Sequence, residues 1–216
     1  MLQLSPNECR VLGVLVEKAL TTPGQYPLTL NGLVTGCNQK NNREPLTRLS
    51  EDEVLEAIDG LRPKGLAREV MLSGSRVTKY RHVAREALEV SSAELVVLVE
   101  LLLRGPQTHA ELRSRASRMH QIETPAEMES ILNDLRSRPE PMIRDVGPIP
   151  GGRTPRVAQL LCPDLHPLDA APVGKVASAA VSAADPALVQ RVEALEQEVG
   201  ALRDEVARLK AWAAQT

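Results

Sequence analysis

Apolar residues recur along this chain with two different periods, and the same succession occurs twice. The stretches "CRVLGVLVEKAL" (9–20) and "LVVLVELLLRG" (95–105) are apolar at helical spacing. Each is followed by a shorter segment of helical character, "LTLNGLV" in one half and "QTHAELR" in the other. A third helical pattern comes next, with Val54, Ile58 and Leu61 corresponding to Met128, Leu132 and Leu135. The period then shortens, and a strand, a Gly-containing turn and a second strand are predicted in "LAREVMLSGSRVTKYRHV" and again in "MIRDVGPIPGGRTPRVAQLL". The order helix, helix, helix, hairpin, repeated, predicts a mainly α protein with small β-hairpin wings (α+β). It is the layout of two tandem winged-helix domains, at 1–86 and 87–162.

Helix starts support the repeat. "SPNE" (Ser5–Glu8) and "SSAE" (Ser91–Glu94) have the spacing of a capping box, and "SEDE" (Ser50–Glu53) and "TPAE" (Thr124–Glu127) form a second pair. Four such motifs in the order A–B–A′–B′ reinforce the periodicity.

The C-terminal part follows another pattern. Residues 163–185 are Pro- and Ala-rich without an apolar period and read as a flexible linker. From 186 to 213 a helix is predicted in which Leu188, Val192, Leu195, Val199, Leu202, Val206 and Leu209 form a heptad seam. Val at a and Leu at d favour a parallel two-stranded coiled coil. The flanks match: Arg191 would face the partner's Glu196, Glu198 the partner's Arg203, and Glu205 the partner's Lys210. A helix docked on its own domain would need the seam but not this pairing, so a homodimer is expected, joined over about three heptads.

Composition narrows the class. The 216 residues carry a net charge of −2 and a pI of about 6.1, with no overall basic signature of nucleic-acid binding. The first repeat has a slight excess of cations and the second a slight excess of acids. Phe is absent, so the core must be built from Leu, Val, Ile and Ala. Three widely separated cysteines, Cys9, Cys37 and Cys162, argue against a disulfide framework and for a reducing compartment. The N-terminus lacks the pattern of a signal peptide, and the longest apolar run is interrupted by Glu100. A cytoplasmic protein without membrane spans is expected.

No catalytic constellation stands out. His82, His109, His120 and His166 show no metal-ligand spacing, Cys37 has no nearby His, and "GPIPGGR" does not match a phosphate-binding loop. Neither enzymatic activity nor a metal or cofactor is expected.

Five of the nine residues of "CNQKNNREP" (37–45) carry a side-chain amide or a carboxylate, and two more are cationic. Asn38 suits the end of the second helix, and Arg43 and Glu44 are expected to pair with neighbours. That leaves Gln39, Lys40, Asn42 and Arg43 as candidates to hold a phosphate, a carboxylate or a partner's backbone.

The strings "TTPGQYPLTLNGLVTGCNQKNNREP", "GSRVTKY", "LLLRGPQTHAELRSRA" and "RVEALEQEVGAL" resemble the YceH-like family of bacterial proteins over nearly the whole chain. The resemblance implies two winged helices and a C-terminal helical tail. It implies no catalytic or ligand residues. The second wing, "GPIPGGRTPR", is richer in Pro and Gly than the family pattern.

Two functions follow as expectations. One is a dimeric, transcription-associated protein that binds double-stranded DNA. The acids Glu51, Asp52, Glu53, Glu56 and Asp59 on the third helix, like Glu127, Glu129 and Asp134 in the second repeat, oppose major-groove readout next to phosphates. Contacts would then fall to Arg76, Lys79 and Arg81 of the first wing, to Lys40, Arg43 and Arg48 with Gln39 and Asn42, and to Arg115 and Arg118. The alternative is a protein-interaction adaptor that docks partners on its winged-helix surfaces.

Overall fold

A computed structural model of the chain describes residues 2–71, 77–149 and 151–166. Arg76, most of the predicted linker and the whole heptad seam from Leu188 to Leu209 lie outside the described residues.

The described part is largely helical with two small antiparallel sheets. In the first half α1 (Pro6–Thr21), α2 (Leu30–Cys37) and α3 (Glu51–Leu61) precede the strands β2 (Ala67–Val70) and β3 (Lys79–His82). A two-residue strand, β1 (Leu28–Thr29), pairs with β3 and gives the order β1-β3-β2. A short helix α4 (Ala84–Ala87) leads into the second half. There α5 (Ser92–Arg104), α6 (His109–Ala116) and α7 (Pro125–Arg136) precede the hairpin β4 (Ile143–Val146) and β5 (Arg156–Gln159). Where the first half has β1, the second has a single bridge from Gln107 to Val157. The repeat therefore extends to the strand residue just before the second helix of each half.

Local chemistry sets the helix starts. Full capping boxes form at Ser5–Glu8, Ser50–Glu53 and Ser91–Glu94. Thr124 accepts from the Glu127 amide, but the Glu127 carboxylate accepts from the Glu123 amide, so only half of that box forms. A further full box forms at Thr108–Glu111.

Helices α1 and α5 are buried almost all round, from Glu8 to Glu17 and from Glu94 to Leu103. Helices of that kind belong at the centre of a fold. They pack on each other, and one apolar cluster runs through both halves. The crossing depends on Gly13: a Cβ there would lie 2.7 Å from Leu103 Cδ2. The core faces of the third helices are equivalent, with Val54, Ile58 and Leu61 buried in one and Met128, Leu132 and Leu135 in the other. Backbone bonds join the halves as well, from Glu44 N–H to Leu103 O (2.7 Å) and from Leu4 N–H to Leu161 O (2.8 Å).

Candidate functional site

The polar loop after α2 is mostly occupied in holding itself together. Asn38 caps α2, and its side chain donates to Leu49 O (2.8 Å) and accepts from Leu49 N–H (2.7 Å), closing the loop like a cross-strand pair. Thr47 donates to Cys37 O (3.0 Å), and Arg10 reaches Pro45 O from the core of α1. His166 lies 2.6 Å from Glu44 O; a carbonyl only accepts, so Nε2 carries the proton.

Arg43 was expected on the recognition surface, but its side chain is 0% exposed. All five guanidinium donors are used within the protein. Nε donates to Gly36 O (3.1 Å), one terminal nitrogen to Asn42 O (2.8 Å) and Glu17 Oε1 (3.4 Å), and the other to Glu17 Oε2 (2.5 Å) and Gln39 Oε1 (3.0 Å). It thereby also satisfies a carbonyl in the last turn of α2.

From Glu17 the network crosses into the second half. Arg118 donates to Glu17 Oε1 (2.8 Å) and Glu100 Oε2 (3.2 Å), Arg104 lies 3.1 Å from Glu100 Oε1, and Arg104 donates to Asn42 Oδ1. Arg43, Glu17, Arg118, Glu100, Arg104 and Asn42 thus form a closed ring around the junction of the halves. Burial alone would push the Glu17 carboxyl up, but Arg43 and Arg118 outweigh it and hold the carboxyl below its ordinary value. Burial would likewise lower the Arg118 guanidinium, yet Glu100 and Glu17 raise it. In sequence, the buried acids showed only as charges set in apolar runs, Glu17 beside Lys18 in "VLVEKAL" and Glu100 alone in "LVVLVELLL".

A polar cleft of about 330 Å³ lies over this ring. Gln39, Lys40, Asn42 and Arg118, each a sequence candidate, come together in its wall with Lys18 and Asn41. Arg48 is exposed at another point of the loop and makes no ion pair among the described residues. Arg115 is tied to Gln107 (2.6 Å) and Glu111 (3.5 Å).

The first hairpin forms a separate surface. Its register places Arg68 opposite Arg81 and Val70 opposite Lys79. Cross-strand partners share a face and alternate residues point the other way, so Arg68, Lys79 and Arg81 project together. Ala67 and Tyr80, on the opposite face, are buried. Glu69 is also on that opposite face, and its carboxylate pairs with Arg62 at 3.0 Å. The three cations therefore have no acid beside them in the ladder. The second hairpin is arranged alike: Arg144 and Arg156 share the face opposite Ile143 and Val157, and Asp145 points the other way to Arg136 (2.8 Å). Arg68, Arg144 and Arg156 were missed in the sequence; their signal was cations two residues apart or in register across a hairpin. On α3, by contrast, Glu51, Asp52 and Glu53 are exposed.

Comparison with known proteins matches residues 4–152 to the family model described as "Protein of unknown function, DUF480". The chain belongs to this family. It is 51% identical over 164 residues to a UPF0502 protein of Geobacter sulfurreducens, which covers 75% of this chain and 74% of that protein. It is 44% identical over 198 residues to the UPF0502 protein YceH of Salmonella paratyphi B, covering 89% of each. The family assignment thus agrees with the resemblance seen in the sequence. Among the described residues no helix is long and apolar enough to cross a membrane.

Proposed function

We propose that this DUF480 member is a cytoplasmic, transcription-associated DNA-binding protein without catalytic activity. In this reading each three-helix-and-hairpin repeat is a winged helix, and the heptad helix 186–213 joins two chains. The reading rests on one observation: Arg68 and Arg81 stand directly opposite each other on an exposed strand pair, with Lys79 on the same face and no acid among them. Like charges in that position destabilise a sheet unless an anion lies between them. A sugar–phosphate backbone supplies such anions in a row, and its counterion release would supply the affinity. The acids at the start of α3 turn that helix away from the groove, so contact falls to the hairpin faces and recognition is of the backbone more than of base edges.

Anisotropy of a labelled mixed-sequence duplex, titrated with the full-length protein over a range of salt, tests this. The reading requires binding whose log affinity falls linearly with log salt concentration. A second reading, a protein-interaction adaptor, is favoured by Met71 and Val77, which are 72% and 53% exposed beside the first hairpin. Absence of duplex binding at low salt would overturn the DNA reading, and partner pull-downs with the full-length chain would then test the adaptor.

A further inference from the structure

We propose that the cleft over the charge ring is a binding site for a small phosphate-bearing molecule. The proposal is independent of DNA binding, because none of the hairpin cations lines the cleft.

The first argument is charge. Lys18, Lys40, Arg43, Arg104 and Arg118 gather here around two carboxylates, Glu17 and Glu100. Both carboxylates are already held by arginines at 2.5–3.2 Å. Lys18 reaches only Gln39 Oε1 at 3.5 Å and Glu17 at 4.0 Å, and Lys40 makes no ion pair among the described residues. The two lysines at the mouth are in surplus.

The second argument is hydrogen-bond polarity. Gln39 Oε1 accepts from Arg43, and Asn42 Oδ1 accepts from Arg104. Arginine has no acceptor, so the orientation of both amides is forced and their NH₂ groups are left over. Among the described residues neither NH₂ group donates a hydrogen bond, and the Asn41 side chain makes none. The wall therefore has two ammonium groups and the undonated NH₂ groups of Gln39 and Asn42, beside a Glu17 carboxylate that Arg43 and Arg118 already hold. A ligand suited to it is rich in anionic oxygen and poor in donors, as a phosphoryl group is.

The third argument is construction and size. About 330 Å³ is at the scale of a small-molecule site and exceeds what one inorganic phosphate would fill. Asn42, which lines the cleft, is held at φ 62°, an uncommon conformation for a residue other than Gly, and its side-chain oxygen is bound by Arg104. Since Glu17 and Arg118 stand 101 residues apart and both line the cleft, a bound ligand would touch both halves at once.

The test is isothermal titration of the full-length protein with pyrophosphate at physiological salt, and with citrate as an anion lacking phosphorus. Saturable binding of one pyrophosphate per chain is expected, weaker by roughly tenfold in Lys40→Ala and again in Lys18→Ala, as for loss of a charged hydrogen bond. Arg81→Ala should bind as the unaltered protein does. Both lysines are outside the ring, so these variants keep the fold, which circular dichroism verifies. Absence of saturable binding overturns the proposal, as does equal affinity in Lys40→Ala or equal loss in Arg81→Ala. Citrate binding as tightly as pyrophosphate would overturn the assignment to phosphate.

Discussion

Removing Arg43 should cost far more than its place in a polar loop suggests. In Arg43→Ala five internal hydrogen bonds disappear together. Glu17, whose side chain is 3% exposed, keeps only Arg118 as a close partner, and the carbonyls of Gly36 and Asn42 each lose a donor. Breaking a buried ion pair from one side costs about 3–5 kcal/mol. Arg118 stays in place and water can enter through the cleft, so about 3 kcal/mol is expected. A domain of this size loses roughly 2–4 °C of melting temperature per kcal/mol, which gives a fall of roughly 6–12 °C. Urea unfolding and calorimetry of the full-length protein measure both quantities. Lys40→Ala, three residues away and exposed, should stay within about 0.5 kcal/mol of the parent. A loss under about 1 kcal/mol in Arg43→Ala, the range of an exposed pair, would refute the ring as a structural element. The double variant Glu17→Ala, Arg43→Ala should cost clearly less than the sum of the single ones, since they break the same contact.

Further outcomes follow from the same contacts. Gly13→Ala should destabilise by about 1–3 kcal/mol in urea unfolding, because Leu103 must leave its place at the α1–α5 crossing. Burial lowers the pKa of His166 below its ordinary value, so the unfolded chain takes up the proton first as pH falls. Its contribution to stability is whole above about pH 6.5 and is lost as pH falls through the lower folded value; His166→Gln should reduce this slope in urea titrations at stepped pH. Arg68→Ala should leave stability unchanged or raise it by a few tenths of a kcal/mol at low salt, since it removes a like-charge pair, while weakening duplex binding in the anisotropy assay.

What the sequence made legible follows the range of each interaction. Capping boxes act over three residues, and three of the four expected ones form in full; at Thr124 a neighbouring amide, Glu123 N–H, takes the carboxylate instead. The apolar periods located the helices and hairpins because burial acts on every turn alike. The "CNQKNNREP" loop was recognisable as unusual, and Asn38 does end α2. Its partners were not legible, because Glu17 lies 26 residues from Arg43 and 101 from Arg118. Arg43 reads in sequence like any surface cation, and only the placement of α1 behind the loop encloses it. The cation face of the first hairpin was half visible: Lys79 and Arg81 alternate within one strand, but Arg68 joins them only through the strand register.

The central proposal, contact with DNA through the hairpin faces, is tested most directly by the salt dependence of duplex binding in the full-length protein and in its Arg81→Ala variant. Each phosphate contact contributes roughly one unit to the slope of log affinity against log salt. The account predicts a measurable slope for the unaltered chain, lowered by about one unit in Arg81→Ala with little dependence on duplex sequence. Equal slopes and affinities in the two proteins would contradict it.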